Sequence, residues 1–109
     1  MDCAFGAYPR WTRVPLVELD LRLPIDRFNF DRVLLMDIDG VLHPDGPGNY
    51  EDFSCLEAFC NVLRSVDPGG KLPIVVSSAW RHTQKPDEIK SNFPMNVGQQ
   101  IVGVTPDWL

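Results

Sequence analysis

The pattern of apolar and polar positions changes abruptly at residue 37. Four apolar residues (33–36) are followed by Asp37 and Asp39, one residue apart, and then by Gly40. A continuous apolar run is typical of a strand buried on both faces of a sheet, which predicts a strand over residues 32–37. Because unpaired carboxylates are costly to bury, we expect the strand to end at Asp37. That point would lie at the carboxyl edge of the sheet, where open α/β folds bind their ligands.

The rest of the chain predicts strands and helices in alternation. Residues 16–23 alternate apolar and polar positions, which is the period of a half-buried strand with one wet face. Ser54 and Glu57 have the spacing of a capping box, and the apolar residues that follow recur at helical spacing as far as the segment DPGG. The other predicted elements are a buried strand from about residue 73 to Ser77 or Ser78, a helix from Pro86 to about Phe93, and a strand in QQIVGVTP (99–106).

This order of strand, loop, helix, strand, helix and strand predicts an α/β fold. Right-handed βαβ crossovers would build a three-layer, Rossmann-like parallel sheet. Residues 40–52 are rich in Gly, Pro, Asp and Asn, which predicts a loop over the carboxyl end of strand 32–37. A chain of 109 residues suffices for one domain of roughly 100 residues. We divide it into an N-terminal arm with an edge strand (1–31) and the α/β unit (32–109).

Composition narrows the class of protein. The net charge of −5 disfavours a nucleic-acid binder that relies on neutralising phosphates. Three cysteines, Cys3, Cys55 and Cys60, have no zinc-site spacing and are expected to be free thiols in a reducing compartment. We find no secretory signal and no stretch of ~18 apolar residues that would span a membrane. The chain is therefore predicted to be cytoplasmic.

The motifs at the predicted strand ends resemble a known family. A strand that ends in DxDGV, with a later strand that ends in Ser, resembles the haloacid dehalogenase-like (HAD) hydrolase superfamily. The segments LLMDIDGVLHP, IVVSSAWR and IVGVTP, in this order, are most similar to the subgroup found in Swiss-Army-Knife RNA-repair proteins. The resemblance covers about residues 32–106 and implies a HAD-like sheet.

The resemblance implies a role for each candidate site residue. Asp37 would be the nucleophile that forms an aspartyl-phosphate, and Asp39 would be the general acid and then the general base. Mg²⁺ would bind a carboxylate oxygen of Asp37 and the backbone carbonyl of Asp39. Gly40 would let the backbone turn beside the substrate, and Ser77 would donate its hydroxyl to a phosphoryl oxygen.

Several assignments stay open at this point. Ser78 replaces Ser77 as the phosphate ligand if the strand ends one residue later. Arg81 either clamps the phosphate or is a solvated arginine at a helix end. His43 is interpreted as a turn histidine, and Trp80 as a packing residue.

The chain also departs from the family pattern. The family's basic residue and its second acidic pair, at a fourth strand, would lie beyond GVTPDWL, so we expect a C-terminally truncated sheet. Lys71, Lys85 and Lys90 do not stand in the family's order, and none is assigned the basic role. Without a fourth strand, strand 32–37 has an open edge. We expect residues 16–23 to cover that edge; an uncovered edge would favour a homodimer.

The leading hypothesis is a Mg²⁺-dependent phosphomonoester phosphatase. Its substrate would be a phosphorylated small molecule or a nucleic-acid end. Loss of each preorganised stabiliser commonly lowers a rate by ~10²–10³, so activity would be impaired. The alternative is a non-catalytic HAD-like binding or interaction module, which the missing motifs favour. A glycosyltransferase metal site is disfavoured, because the chain is short and Ser77 would have no role.

Overall fold

The computed structural model describes residues 11–14, 17–44, 48 and 51–106. Residues 1–10 of the predicted arm, with Cys3, and five residues of the predicted loop (45–47, 49 and 50) lie outside the described residues. In chain order the described elements are β1 (Trp11–Val14), β2 (Val17–Asp20), a 3₁₀ helix (Ile25–Arg27), β3 (Leu34–Met36), α1 (Leu56–Val66), β4 (Ile74–Val76), a 3₁₀ helix (Ala79–His82), α2 (Pro86–Lys90), α3 (Met95–Gly98) and β5 (Ile101–Val104).

The strands form one sheet in the order β1-β2-β5-β4-β3. β3, β4 and β5 are parallel neighbours, as successive βαβ units require. β2 runs antiparallel to β5, and β1 antiparallel to β2. The predicted α/β, Rossmann-like class is therefore confirmed.

The core lies on both faces of β4 and β5, which explains their continuous apolar runs. In β4, Ile74 and Val76 belong to the larger apolar cluster, together with buried residues of all three helices. Val75 points to the opposite face, where it packs with Val102 and Phe28. The connection around Phe28 thus covers the second face of β4 and β5.

The two predicted helix starts have different outcomes. Helix α1 begins at Leu56 with Cys55 as its N-cap, and no side chain caps it, so the capping box at Ser54 is wrong. Helix α2 begins at Pro86 as predicted. There the backbone N–H of Lys85 donates to Glu88 Oε1 (2.7 Å), which satisfies one of the exposed N–H groups of the first turn.

The prediction that residues 16–23 cover strand 32–37 is wrong. β2 pairs with β5, so two strands separate it from β3. The cause is a glycine in β5: a Cβ at Gly103 would lie 2.6 Å from both the Glu18 carbonyl oxygen and Val17 Cγ1. A side chain there would push β2 away, whereas glycine lets its backbone approach.

β3 is one of the two outer strands of the sheet that the described residues form, and β1 is the other. Leu35, at its centre, is 67% exposed, so the expectation that both faces of this strand are buried is wrong for that residue. Only the inward face, which carries Met36, joins the core. No helix in the described part of the chain has the length and apolarity to cross a membrane.

Candidate active site

Three polar residues follow directly on the three parallel strands. Asp37 comes after β3, Ser77 after β4 and Thr105 after β5. The ladder continues through them, because Ser77 N donates to Met36 O (2.8 Å) and Thr105 N donates to Val76 O (2.9 Å). The Thr105 hydroxyl is buried and has no hydrogen-bond partner among the described residues. The carboxyl edge of the sheet therefore carries a row of polar groups, where α/β folds bind ligands.

The Asp37 carboxylate faces outward at this edge. The residue is exposed, while the next residue, Ile38, is fully buried in the core. Asp37 Oδ1 accepts a hydrogen bond from Ile38 N (2.7 Å). The core thus anchors the backbone beside a carboxylate that solvent, a cation or a substrate can reach.

A tight turn after Asp37 positions the second acid. Leu42 N and Val41 N both donate to Ile38 O (2.8 and 3.2 Å), and Gly40 N donates to His43 O (2.8 Å). Gly40 has φ of 81°, a conformation that costs a residue with a Cβ roughly 1 kcal/mol or more. The turn places the side chains of Asp39 and His43 side by side.

One oxygen of Asp39 accepts two hydrogen bonds. His43 Nε2 lies 2.7 Å from Oδ1, and Trp80 Nε1 donates to the same oxygen at 3.1 Å. The Asp39 side chain is 35% exposed. The two rings therefore fix the orientation of the Asp39 carboxylate, and solvent can still reach it.

The tautomer of His43 follows from its other ring nitrogen. Phe53 N donates to His43 Nδ1 (3.0 Å), so Nδ1 carries no proton, and Nε2–H is the donor to Asp39. The imidazole is 8% exposed. Its ring packs against Phe53 and Trp80, with centroids 5.8 and 5.7 Å apart.

Phe53 holds His43 at the cost of an unusual backbone conformation. It is a non-glycine residue with φ of 62°, in a region that bulky residues rarely occupy. Such a conformation persists only where the surroundings enforce it. The Phe53 ring is fixed by edge contacts with Trp80 and Phe93, at centroid distances of 5.2 and 5.6 Å.

The roles of His43 and Trp80 were missed in the sequence. His43 lies in a turn and Trp80 packs in an aromatic cluster, as interpreted, but both also bind Asp39. One signal was available: His43 stands four residues after Asp39, a spacing at which side chains of one helical turn meet. Trp80 carried no such signal, because it lies 41 residues away.

The two serines after β4 have different surroundings. Ser77 is half-buried and stands level with Asp37, since the β3–β4 register pairs Met36 with Val76. Ser78 is buried, and its hydroxyl accepts a hydrogen bond from Trp80 N (3.3 Å) at the start of the 3₁₀ helix. Since the strand ends at Val76, Ser77 is the better placed of the two for a ligand at the edge.

Arg81 binds the backbone behind the site. Its Nε donates to Pro106 O (2.9 Å), and its Nη1 donates to Ser78 O. These contacts connect the segments that follow β4 and β5. Whether Arg81 also contacts a phosphate stays a prediction.

Potential metal ligands at this edge are few. Among the residues that the structure describes, no group of three or more His, Cys, Asp or Glu side chains could hold a metal ion. Lys90, which was not assigned the family's basic role, binds elsewhere: its ammonium group donates to the carboxylate of the buried Asp20 (2.9 Å). Among the described residues, Asp37 and Asp39 bring carboxylate oxygens to the turn.

One of three comparisons with known proteins gives a match. A family model described as the HAD domain in Swiss Army Knife RNA repair proteins matches residues 33–109. The matched range includes Asp37, Asp39, Ser77 and Trp80. Searches of curated proteins and of solved structures found no match.

Proposed function

Since the chain belongs to the family of HAD domains in Swiss Army Knife RNA repair proteins, we propose that it is a magnesium-dependent phosphohydrolase of phosphomonoesters. The family match supports a hydrolase or phosphatase kind of function. The finer assignment depends on one observation: an exposed carboxylate, a hydrogen-bonded second carboxylate and a serine follow two adjacent parallel strands at their carboxyl ends.

In the first step, an Asp37 carboxylate oxygen attacks phosphorus and the bond to the ester oxygen breaks. Asp39 gives its proton to that leaving oxygen, so an alcohol departs and an aspartyl-phosphate remains. The Ser77 hydroxyl donates to a phosphoryl oxygen. The exposure of Asp37 supports the nucleophilic role, because an attacking carboxylate must be reachable by substrate.

In the second step, Asp39 takes a proton from water as the water oxygen bonds to phosphorus. The bond to Asp37 breaks, phosphate leaves, and both acids return to their starting states. One residue can serve in both steps because the first leaves it ionised and the second reprotonates it.

The donors at the turn are compatible with Mg²⁺. This ion prefers oxygen ligands and usually retains several waters, so one or two carboxylates and a substrate phosphate suffice. The Asp37 carboxylate and the Asp39 carbonyl would hold it, since Asp39 Oδ1 is already engaged by His43 and Trp80. When bound, Mg²⁺ would neutralise phosphoryl charge as a Lewis acid.

We place the substrate among phosphorylated small molecules and nucleic-acid ends. The family description names RNA repair proteins, which supports a nucleic-acid terminus. Because the chain has a net charge of −5, we do not expect it to neutralise the backbone phosphates of a nucleic acid beyond the terminal one.

The test is phosphate release from an aryl phosphate with and without Mg²⁺, with Asp37→Asn beside wild type. We expect release to require Mg²⁺ and to fall at least ~10³-fold in Asp37→Asn, because the nucleophile is removed. Asp26→Asn is the matched control, since Asp26 is an exposed aspartate in the 3₁₀ helix Ile25–Arg27. Mg²⁺ binding without turnover would instead support the non-catalytic binding module.

A further inference from the structure

We propose that His43 and Trp80 are positioning residues that hold one oxygen of Asp39, so that its other oxygen transfers the proton. This inference rests on the proposed function, because it assigns a task to two residues of the same site. Two rings, the buried imidazole of His43 and the half-buried indole of Trp80, converge on one atom of this acid.

Both hydrogen bonds reach the same carboxylate oxygen. His43 Nε2 and Trp80 Nε1 lie 2.7 and 3.1 Å from Asp39 Oδ1, while Oδ2 has no hydrogen-bond partner among the described residues. A carboxyl group that is fixed at one oxygen has a single oxygen left to exchange a proton with substrate or water. The arrangement therefore selects which oxygen acts and where it points.

The donors orient the carboxylate without neutralising it. Phe53 N–H occupies His43 Nδ1 (3.0 Å), so the imidazole that faces Asp39 is the uncharged Nε2–H tautomer. The indole of Trp80 is also an uncharged donor.

The two rings are themselves held by their neighbours. The His43 imidazole, the Trp80 indole and the Phe53 ring contact one another with centroids 5.2–5.8 Å apart. Phe53 adopts φ of 62° while its N–H reaches His43. Rings packed in this way lose little further freedom when they bind Asp39, which is a requirement for precise positioning.

The activity test compares two substrates that differ in leaving group. An alkyl phosphate needs a proton on its leaving oxygen, whereas dinitrophenolate departs without one. We expect His43→Ala and Trp80→Phe to lower kcat/KM for the alkyl phosphate by ~10–10². For 2,4-dinitrophenyl phosphate the loss should stay below about threefold, because proton transfer contributes little there.

Two further variants separate positioning from packing. Phe93→Leu alters the same aromatic cluster (Phe53–Phe93 centroids 5.6 Å) without removing a donor to Asp39, so it should affect the two esters alike. His43→Gln keeps an N–H of similar reach and should recover part of the alkyl-phosphate activity that His43→Ala loses. Equal losses on both esters in His43→Ala would overturn the proposal.

A readout without turnover separates this inference from the proposed function. By ¹⁵N NMR, His43 should show a protonated Nε2 and an unprotonated Nδ1, and the Trp80 indole N–H signal should shift in Asp39→Ala, which removes its acceptor. The opposite tautomer or an unmoved indole signal would overturn the contact. If both NMR results hold but wild type hydrolyses neither ester, the phosphatase assignment fails and the contact with Asp39 stands.

Discussion

Two aspartates in this molecule are held by the protein in opposite ways. Asp20, at the end of β2, is fully buried, and both of its oxygens accept bonds from cations: Arg22 Nε and Nη2, each at 2.8 Å, and Lys90 Nζ at 2.9 Å. Asp39, at the turn after β3, is 35% exposed and accepts bonds from two uncharged rings at one oxygen. The first carboxylate is neutralised, and the second is only oriented.

This difference separates a structural acid from the acid that we propose to be reactive. Burial of the Asp20 carboxyl raises its pKa, but hydrogen bonds from Arg22 and Lys90 outweigh that effect and lower the pKa to about 2. Such a group stays ionised at any ordinary pH and cannot exchange protons with a substrate. Asp39, which we propose as the general acid and base, instead accepts from the two uncharged rings of His43 and Trp80.

The largest expected effect is the loss of catalysis in Asp39→Asn. Removal of a general acid and base should lower kcat/KM for an alkyl phosphate by about 10²–10⁴, while the amide oxygen can still accept from His43 and Trp80. The free energy of unfolding should therefore change by less than about 1 kcal/mol. Kinetics and urea unfolding on the same preparation measure both quantities. A variant that keeps its rate and loses its stability would reverse the roles of the two acids.

The next effect is a loss of stability in Asp20→Asn. This change leaves Arg22 and Lys90 without their anionic partner; breaking a buried ion pair in this way costs about 3 kcal/mol. Urea unfolding gives the difference from wild type. Substrate turnover below the unfolding transition should remain near the wild-type value, and a selective loss of turnover would connect Asp20 to the site.

The sequence predicted which residues follow the parallel strands at the candidate site because its signals there are local. The apolar run before Asp37, the glycine at position 40 and the serine after the second apolar run each depend on a few neighbouring residues. Parallel strands then bring their carboxyl ends together without further information. The start of helix α2 at Pro86 was likewise predicted from one residue type.

What the sequence did not predict depends on distant partners. Alternation placed Asp20 on a wet face, but Lys90, 70 residues away, buries and neutralises it. The position of β2 depends on Gly103, whose missing Cβ leaves space for the Glu18 backbone. The contacts of Asp39 likewise depend on distant residues: Trp80 lies 41 residues away, and the ring nitrogen of His43 that faces Asp39 is set by the N–H of Phe53.

A third test follows stability against pH. The folded pKa of Asp20, about 2, lies below the ordinary value of 3.8, so the ionised group stabilises the fold fully above about pH 5 and less as the pH falls. Between pH 5 and pH 2 the loss should be about 2 kcal/mol. Since other carboxylates titrate too, the quantity to measure is the stability of wild type minus that of Asp20→Asn. A difference that does not shrink toward pH 2 would contradict the low pKa.

The smallest expected effect comes from the exposed partner of the same arginine. Arg22 Nη2 binds Asp87 as well as Asp20, and the Asp87 side chain is 50% exposed. The same cation therefore binds one buried carboxylate and one exposed carboxylate. A comparison of Asp20 with Asp87 thus isolates the effect of burial on the stability that the contact with Arg22 provides. Asp87→Asn should cost less than about 1 kcal/mol, because water already solvates both members of that pair.

Salt distinguishes the two contacts of Arg22 further. Raising the ionic strength to about 1 M shortens the screening length to roughly 3 Å, which weakens exposed pairs far more than buried ones. The effect of Asp87→Asn on unfolding should then vanish, while that of Asp20→Asn persists. If Asp87→Asn lowers the free energy of unfolding as much as Asp20→Asn does, the cationic partner and not burial determines how much a carboxylate stabilises this fold. Asp20 and Asp39 would then differ only in the charge of their hydrogen-bond donors.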